Sequence, residues 1–381
     1  DDEAVAARRQ QAVAAGAIEA LVAAMRAHAQ VDAVQDLGCG MLAYMCHGDD
    51  AAAATRTQRA VAAGAIEAVV AALRTHAEVE ALQQHGCCLL GNLCNGDDEA
   101  VAARRQQAVA AGAIEVLVAA MRAHAQVDAV QDLRCGALAN MCHGDDAAAA
   151  TRTQRAVAAG AIEAVVAALR THAEVEALQQ HGCYLLGNLC HDDDEAVAAR
   201  RQQAVAAGAI EVLVVAMRAH AQVDAVQGLG CGALTNLCLG DDAAAAARTQ
   251  RAVAAGAIEA LVAAMRAHAQ LETVQACGCS LLRNLCCGGD AALRQRLAAA
   301  GAIEAVVAAL QVHPQVALVH EHGCGALHAF CSGGAGVRAC RRLAAQAGAR
   351  TAVGAAMQAH PAHGEVQRIG QLVLGLLPMQ V

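Results

Sequence analysis

Apolar residues recur along this chain on two scales at once. Locally they fall three and four residues apart, as at Ile162, Val165, Val166 and Leu169, which puts them on one face of an α-helix. Over longer stretches whole phrases return. Gly-Ala-Ile-Glu begins at Gly16, Gly64, Gly112, Gly160, Gly208, Gly256 and Gly301, at spacings of 48 residues with a last one of 45, and a degenerate copy, Gly-Ala-Arg-Thr, begins at Gly348. Alternate copies resemble each other more than neighbours do, LVAAMRAHAQVDAVQDL against VVAALRTHAEVEALQQH, so a pair of 48-residue copies reads as the duplicated unit.

A single copy predicts its own elements. Gly144-Asp145-Asp146 supplies a turn, a cap and an acidic first turn for a helix ending near Ala159, and Gly160 stands where a helix end takes a left-handed residue. A second helix is predicted over residues 161–172 and a third over 175–190. Three short helices joined by tight turns cannot bury their apolar faces alone, so each copy must stack on the next. The expected fold is all-α: a right-handed α-solenoid of about eight three-helix repeats. It spans 1–381 as one repeat domain, with 349–381 a degenerate capping repeat. The chain starts without Met at DDEAVAARRQQAVAAGAIE, a phrase that returns almost intact from Asp97, and reads as a piece of a longer protein. The apolar side of its first repeat is then expected to be exposed.

Composition fits thin, closely packed helices. Apolar residues make up 57% but aromatic residues only 1% (Tyr44, Tyr184, Phe330), so alanine fills the core in place of rings. Three prolines leave nearly the whole chain free to be helical. The net charge of −9 and the three aromatic residues give neither the positive field nor the stacking platforms of a nucleic-acid binder. No apolar run reaches the roughly 18 residues a membrane span needs, and the 18 cysteines sit in no small disulfide-rich frame. The expected setting is intracellular, cytoplasmic or nuclear, with reduced thiols, no nucleic acid and no membrane.

The order of a short helix, a second opened by Gly-Ala-Ile-Glu and a third ending in Ala-Leu-x-Asn-Leu resembles the armadillo repeat over essentially the whole chain. The 48-residue unit is longer than that family's usual repeat. Its peptide-binding members also carry Trp four residues before the asparagine, where these copies have Cys88, Gly136, Tyr184, Gly232 and Ser280.

Stacking turns each repeated residue into a column whose members stand about 10 Å apart, and that spacing decides most of the candidate chemistry. The cysteine columns, such as Cys183 and Cys190 two helical turns apart, are too widely spaced for zinc or disulfides and read as core. Cys88, Cys277, Cys287 and Cys340 lie outside those columns and are the candidates for reactivity. The column from His28 and His76 through His360 ends each second helix, where it can cap carbonyls. The pairs Asp49-Asp50, Asp97-Asp98, Asp145-Asp146, Asp193-Asp194 and Asp241-Asp242 precede helices directly and read as caps, not calcium ligands. Gly333-Gly334-x-Gly336 precedes a helix but follows no strand, and reads as a loop. Any catalytic candidate would be repeated where an active site has to be unique, so no enzyme, metal or cofactor is expected.

The remaining column is Asn92, Asn140, Asn188, Asn236 and Asn284, with Tyr44 and Ala329 in its place at the ends. Asparagine is not favoured inside helices, and its amide offers the donors and acceptor that an extended peptide backbone needs. By resemblance, these five line a groove on the third-helix face and grip the main chain of a partner protein or peptide, with Tyr184 beside them. Asp128, Glu176 and Asp224 at the rim suggest a basic partner. Two alternatives stand beside this: the asparagines satisfy backbone within the solenoid, and the chain is a structural spacer or dimerisation arm of a larger protein.

Overall fold

The computed structural model describes residues 2–48, 51–96, 98–144, 146, 148–191, 196–240, 242–286, 291–333 and 336–378. Asp49, Asp50, Asp97, Asp145, Asp193, Asp194, Asp241, Cys287 and Gly334 lie outside the described residues. Those described form 24 α-helices and no strand, in two compact units, 1–196 and 197–381. Each unit is a stack of four three-helix repeats.

The fourth repeat shows why these residues form these elements. Its helices run Ala149–Ala159, Ala161–Thr171 and Glu176–Leu189, within a few residues of the spans predicted from the pattern. Gly160 ends the first helix and opens the second at φ 88°, a left-handed conformation that costs a side-chain-bearing residue steric strain. The second helix turns Ile162, Val165, Val166 and Leu169 inward, all buried.

Third helices of successive repeats pack side by side and form the spine of each unit. In the first unit they are Asp32–Cys46, Glu80–Cys94, Asp128–Cys142 and Glu176–Leu189. In the second they are Asp224–Leu237, Glu272–Cys286, Ala317–Cys331 and Gly364–Leu376. The eighth repeat is a full three-helix unit that starts at Val337, ahead of the expected 349.

Glycines at one position of the third helix set its distance from the second. A Cβ on Gly182 would stand 2.4 Å from the Leu169 side chain, and one on Gly86 would stand 2.7 Å from that of Leu73. Closer helix approach buries more of the small apolar side chains that this composition supplies.

A column of glutamines, unremarked in the pattern, locks second helix to third. Gln83 Nε2 donates to the carbonyls of Leu73 at 2.9 Å and His76 at 3.1 Å, and Gln179 does the same with Leu169 and His172 at 3.0 Å each. These are C-terminal carbonyls with no partner inside their own helix. Gln35, Gln131, Gln227, Gln275 and Gln367 repeat the arrangement.

Buried arginines of the first helices do the same for the third. Arg152, fully buried, donates through Nε to the carbonyl of Met141 at 2.7 Å and through Nη2 to that of His143 at 3.0 Å. Arg56 in the first unit and Arg248 in the second hold the carbonyls of Met45 and Leu237.

Aspartates cap helices as expected. Asp98 accepts from the Val101 amide at 2.8 Å and Asp242 from that of Ala245 at 2.7 Å. Asp146 accepts from Ala148 N at 2.9 Å and pairs with Arg152, whose hydrogen bond holds its carboxyl below the usual carboxylate range.

Candidate protein-binding groove

Asn92, Asn140 and Asn188 of the first unit lie half-buried on one face of their third helices, Asn92 and Asn188 one helical step from the buried leucines at 89, 93, 185 and 189. Asn92, Asn140 and Tyr184 come together in a concavity of about 350 Å³, whose walls include Cys88, Gly136 and His181. The tryptophan positions hold a thiol, a glycine beneath the His181 ring, and one phenol. Asn188 lines a second cleft of about 600 Å³ with His143, Asp146 and Arg105. The Tyr184 ring lies 5.8 Å from that of His143, tilted by 45°.

The rungs differ in what their amides already hold. Asn92 Nδ2 donates to the carbonyl of Ala43 at 3.1 Å, and Asn188 Nδ2 to that of Ala139 at 3.0 Å, each a residue of the preceding repeat. Asn140 has no side-chain partner among the described residues. In the second unit Asn236 and Asn284 are half-buried, and Asn284 Nδ2 is buried with no partner among the described residues. Nearby, Thr235 turns its hydroxyl onto the carbonyls of Cys231 and Cys277.

The histidine column works between repeats, not on its own helix as the sequence suggested. His76 and His172 occupy the ends of second helices, and their Nε2 atoms reach the carbonyls of Ala29 and Ala125 in the preceding repeat, both at 2.8 Å. Their Nδ1 atoms contact Asp32 at 2.6 Å and Asp128 at 2.5 Å. His268 does likewise with Ala221 and Asp224 in the second unit. Two of the three acids expected at the rim, Asp128 and Asp224, are therefore already engaged. Nearer the floor, His181 contacts Asp132 at 2.7 Å and covers Gly136.

The glutamate of Gly-Ala-Ile-Glu also joins repeats. Glu115 pairs with Arg155 at 2.5 Å, Glu19 with Arg59, and Glu211 with Arg251 at 2.6 Å.

The cysteine columns are core, and burial pushes their thiols up, Cys94 and Cys183 to about 12. The candidates outside the columns are not activated: burial also raises Cys88, Cys277 and Cys340. No group of three metal-ligating side chains is found among the described residues.

Glutamine and arginine columns escaped the sequence reading although they repeat with the same period as the asparagines. Their signal was a polar residue that returns at one position of the repeat, as Asn188 does, but it stands among other polar residues of the same helix and so did not stand out.

Residues 61–331 match the sequence model of the family described as the LRRK2 ARM repeat. The chain belongs to this armadillo repeat family. A solved structure from work on the interaction between cadherin and beta-catenin, and the phosphorylation switch that controls it, superposes with a TM-score of 0.74 at 18% identity. The match covers 93% of this chain and 60% of that one, so this armadillo chain spans less than two thirds of its structural neighbour. No curated protein sequence matches the chain. Among the described residues no single helix is long and apolar enough to cross a membrane.

Proposed function

We propose that this armadillo chain is a non-catalytic scaffold that holds an extended segment of a partner protein on its third-helix face. In the first unit the side-chain amides of Asn92, Asn140 and Asn188, and in the second unit, taken by itself, those of Asn236 and Asn284, grip a partner's main chain, and Tyr184 packs against one of its side chains in the first. The supporting observation is Asn140. Among the described residues nothing engages either donor or the acceptor of its amide, and it shares one concavity with Asn92 and Tyr184. Asn92 and Asn188, whose amide nitrogens are engaged, still carry an acceptor oxygen. Work on the structural neighbour concerns a protein partner, which is the same class of ligand.

Cys88, and Gly136 beneath the His181 ring, supply no large ring of their own to hold a partner side chain, which weakens each contact. Glu176 and the spare oxygens of Asp128 and Asp224 favour a basic segment. The free thiols of the described cysteines support an intracellular setting.

The spacer reading draws on Asn92 and Asn188, whose amides already tie one repeat to the one before. A defined peptide array, probed with the parent chain and with Asn140→Ala and Tyr184→Ala, separates the two. Peptides bound by the parent and lost by both variants, at unchanged melting, support the groove. An array that binds nothing, or binds all three alike, leaves the spacer.

A further inference from the structure

Within the second unit, the junction between the seventh and eighth repeats departs from the pattern of the earlier ones at three positions. Between the fifth and sixth repeats, His268 reaches back through Nε2 to the carbonyl of Ala221 at 2.8 Å and through Nδ1 to Asp224 at 2.5 Å. Gln227 of the fifth repeat donates to the carbonyls of Met217 and His220. In the seventh repeat the acid's position holds Ala317 and the glutamine's position holds His320, and the carbonyl that His360 of the eighth would reach is that of Pro314.

These departures meet at one pair of rings. His360 Nε2 is buried and bonds neither to that carbonyl nor to any other described group. His320 is buried and donates through Nε2 to the Leu310 carbonyl at 3.1 Å, which makes Nδ1 its lone-pair nitrogen. That Nδ1 is also buried without a described partner, and the two rings stand edge to face with centroids 4.9 Å apart.

No acid balances the pair. His313 is bonded back to the Ala269 carbonyl, and Glu321, the carboxylate on the same helix as His320, lies 3.7 Å from His363 Nε2. His363 itself stands 6.5 Å from His360. Glu365 pairs with Arg368, and Arg350 and Arg341 are bonded to backbone carbonyls. Arg338, Arg342 and Glu272 are exposed, and His322 has Arg283 of the sixth repeat beside it. A proton added to His320 goes onto Nδ1, and one added to His360 leaves Nε2 a donor. Neither nitrogen has an acceptor, and two like charges then share a buried seam. Burial, and then His360 and His313, hold the His320 pKa below its ordinary value, so the seam is complete above 6.5 and weakens as the pH falls below that.

We infer that this histidine pair is an acid-sensitive latch: mild acid parts the eighth repeat from the seventh while the rest of the second unit stays folded. The third helices Ala317–Cys331 and Gly364–Leu376 pack on each other here. Stacked repeats are held by nearest-neighbour interfaces, so a cost confined to one seam opens that seam first.

Hydrogen exchange of the 381-residue chain, read by mass spectrometry at pH about 7.5 and about 5.5 and corrected for the intrinsic pH dependence of exchange, tests this. In acid, Ala349–Ala359 and Gly364–Leu376 are expected to exchange several-fold faster, while Ala257–Ala267 and Glu272–Cys286 keep their protection. Two variants return the junction to the earlier pattern. His320→Gln supplies the amide that donates twice, and Ala317→Asp gives His360 the acid that His268 has. Each should reduce the acid response, and the double variant should abolish it. Equal protection of the eighth repeat at both pH values overturns the inference, as does acid exchange spread evenly over the second unit or a response that survives in the double variant.

Discussion

Asn188 reaches back one repeat to hold the carbonyl of Ala139 at 3.0 Å, while Asn140, the rung between Asn92 and Asn188, holds nothing among the described residues. The two asparagines hold the same position in their repeats and do different work. Asn188→Ala leaves a part-buried carbonyl without its donor and is expected to cost about 1 kcal/mol. Asn140→Ala should leave the melting temperature within error of the parent and act on peptide binding alone. Thermal melts of the two variants beside the peptide array check both halves.

Arg134 occupies the third-helix position where the other repeats of its unit have Gly38, Gly86 and Gly182. It is fully buried, and its one described side-chain bond runs from Nη2 to Gln83 Oε1 at 2.9 Å. Its Nε and Nη1 have no partner among the described residues, and burial holds its pKa below the ordinary value for arginine. A buried, half-satisfied cation is a large cost. Arg134→Gly is expected to stabilise the chain by about 1–3 kcal/mol after the helix penalty of glycine is subtracted. Chemical denaturation of the two proteins measures it.

His320 stands where the other repeats of its unit have Gln227, Gln275 and Gln367. It holds the Leu310 carbonyl through Nε2 at 3.1 Å, and its Nδ1 is buried without a partner, with the His360 ring 4.9 Å away. Burial, and then the neighbouring His360 and His313, push its pKa below 6.5, and burial does the same to His322. A histidine whose native pKa is depressed takes up a proton more readily when unfolded, so stability is full above 6.5 and falls as the pH drops below that value. His320→Gln restores the amide that donates twice and is expected to flatten this acid loss. Melts across a pH series with both proteins give the comparison, with His322 accounting for what remains.

Thiol reactivity should follow burial. Cys94 and Cys183, raised to about 12, are expected to resist iodoacetamide in the folded chain, while half-buried Cys88 and Cys277 react slowly and first. Peptide mass mapping after timed labelling checks the order. Early labelling of Cys183 would mean that the core opens far more readily than its packing implies.

The Asp242 side chain accepts from the Ala245 amide at the start of its helix. Asp242→Ala is expected to cost about 1 kcal/mol, and Asp242→Asn a fraction of that, because the amide oxygen still accepts. Urea titrations of both variants compare them.

The repeat, its three helices and the core were legible in the residues because helix formation and helix stacking depend on local spacing, and that spacing recurs with every copy. Gly160, the buried leucines and cysteines, and the capping aspartates that are described all stand where the pattern put them. What the pattern could not settle was which polar columns serve the fold. Asn92 and Asn140 differ by a hydrogen bond to a residue 49 positions earlier in one case and by its absence in the other. His172 reaches the preceding repeat instead of its own helix, and Gln179 and Arg152 satisfy helix ends from elements ten or more residues away. These are distances between helices, set by how closely glycine and alanine let neighbours approach. A column read along the chain shows that a residue recurs; only the packing of one helix on the next decides what its polar atoms meet.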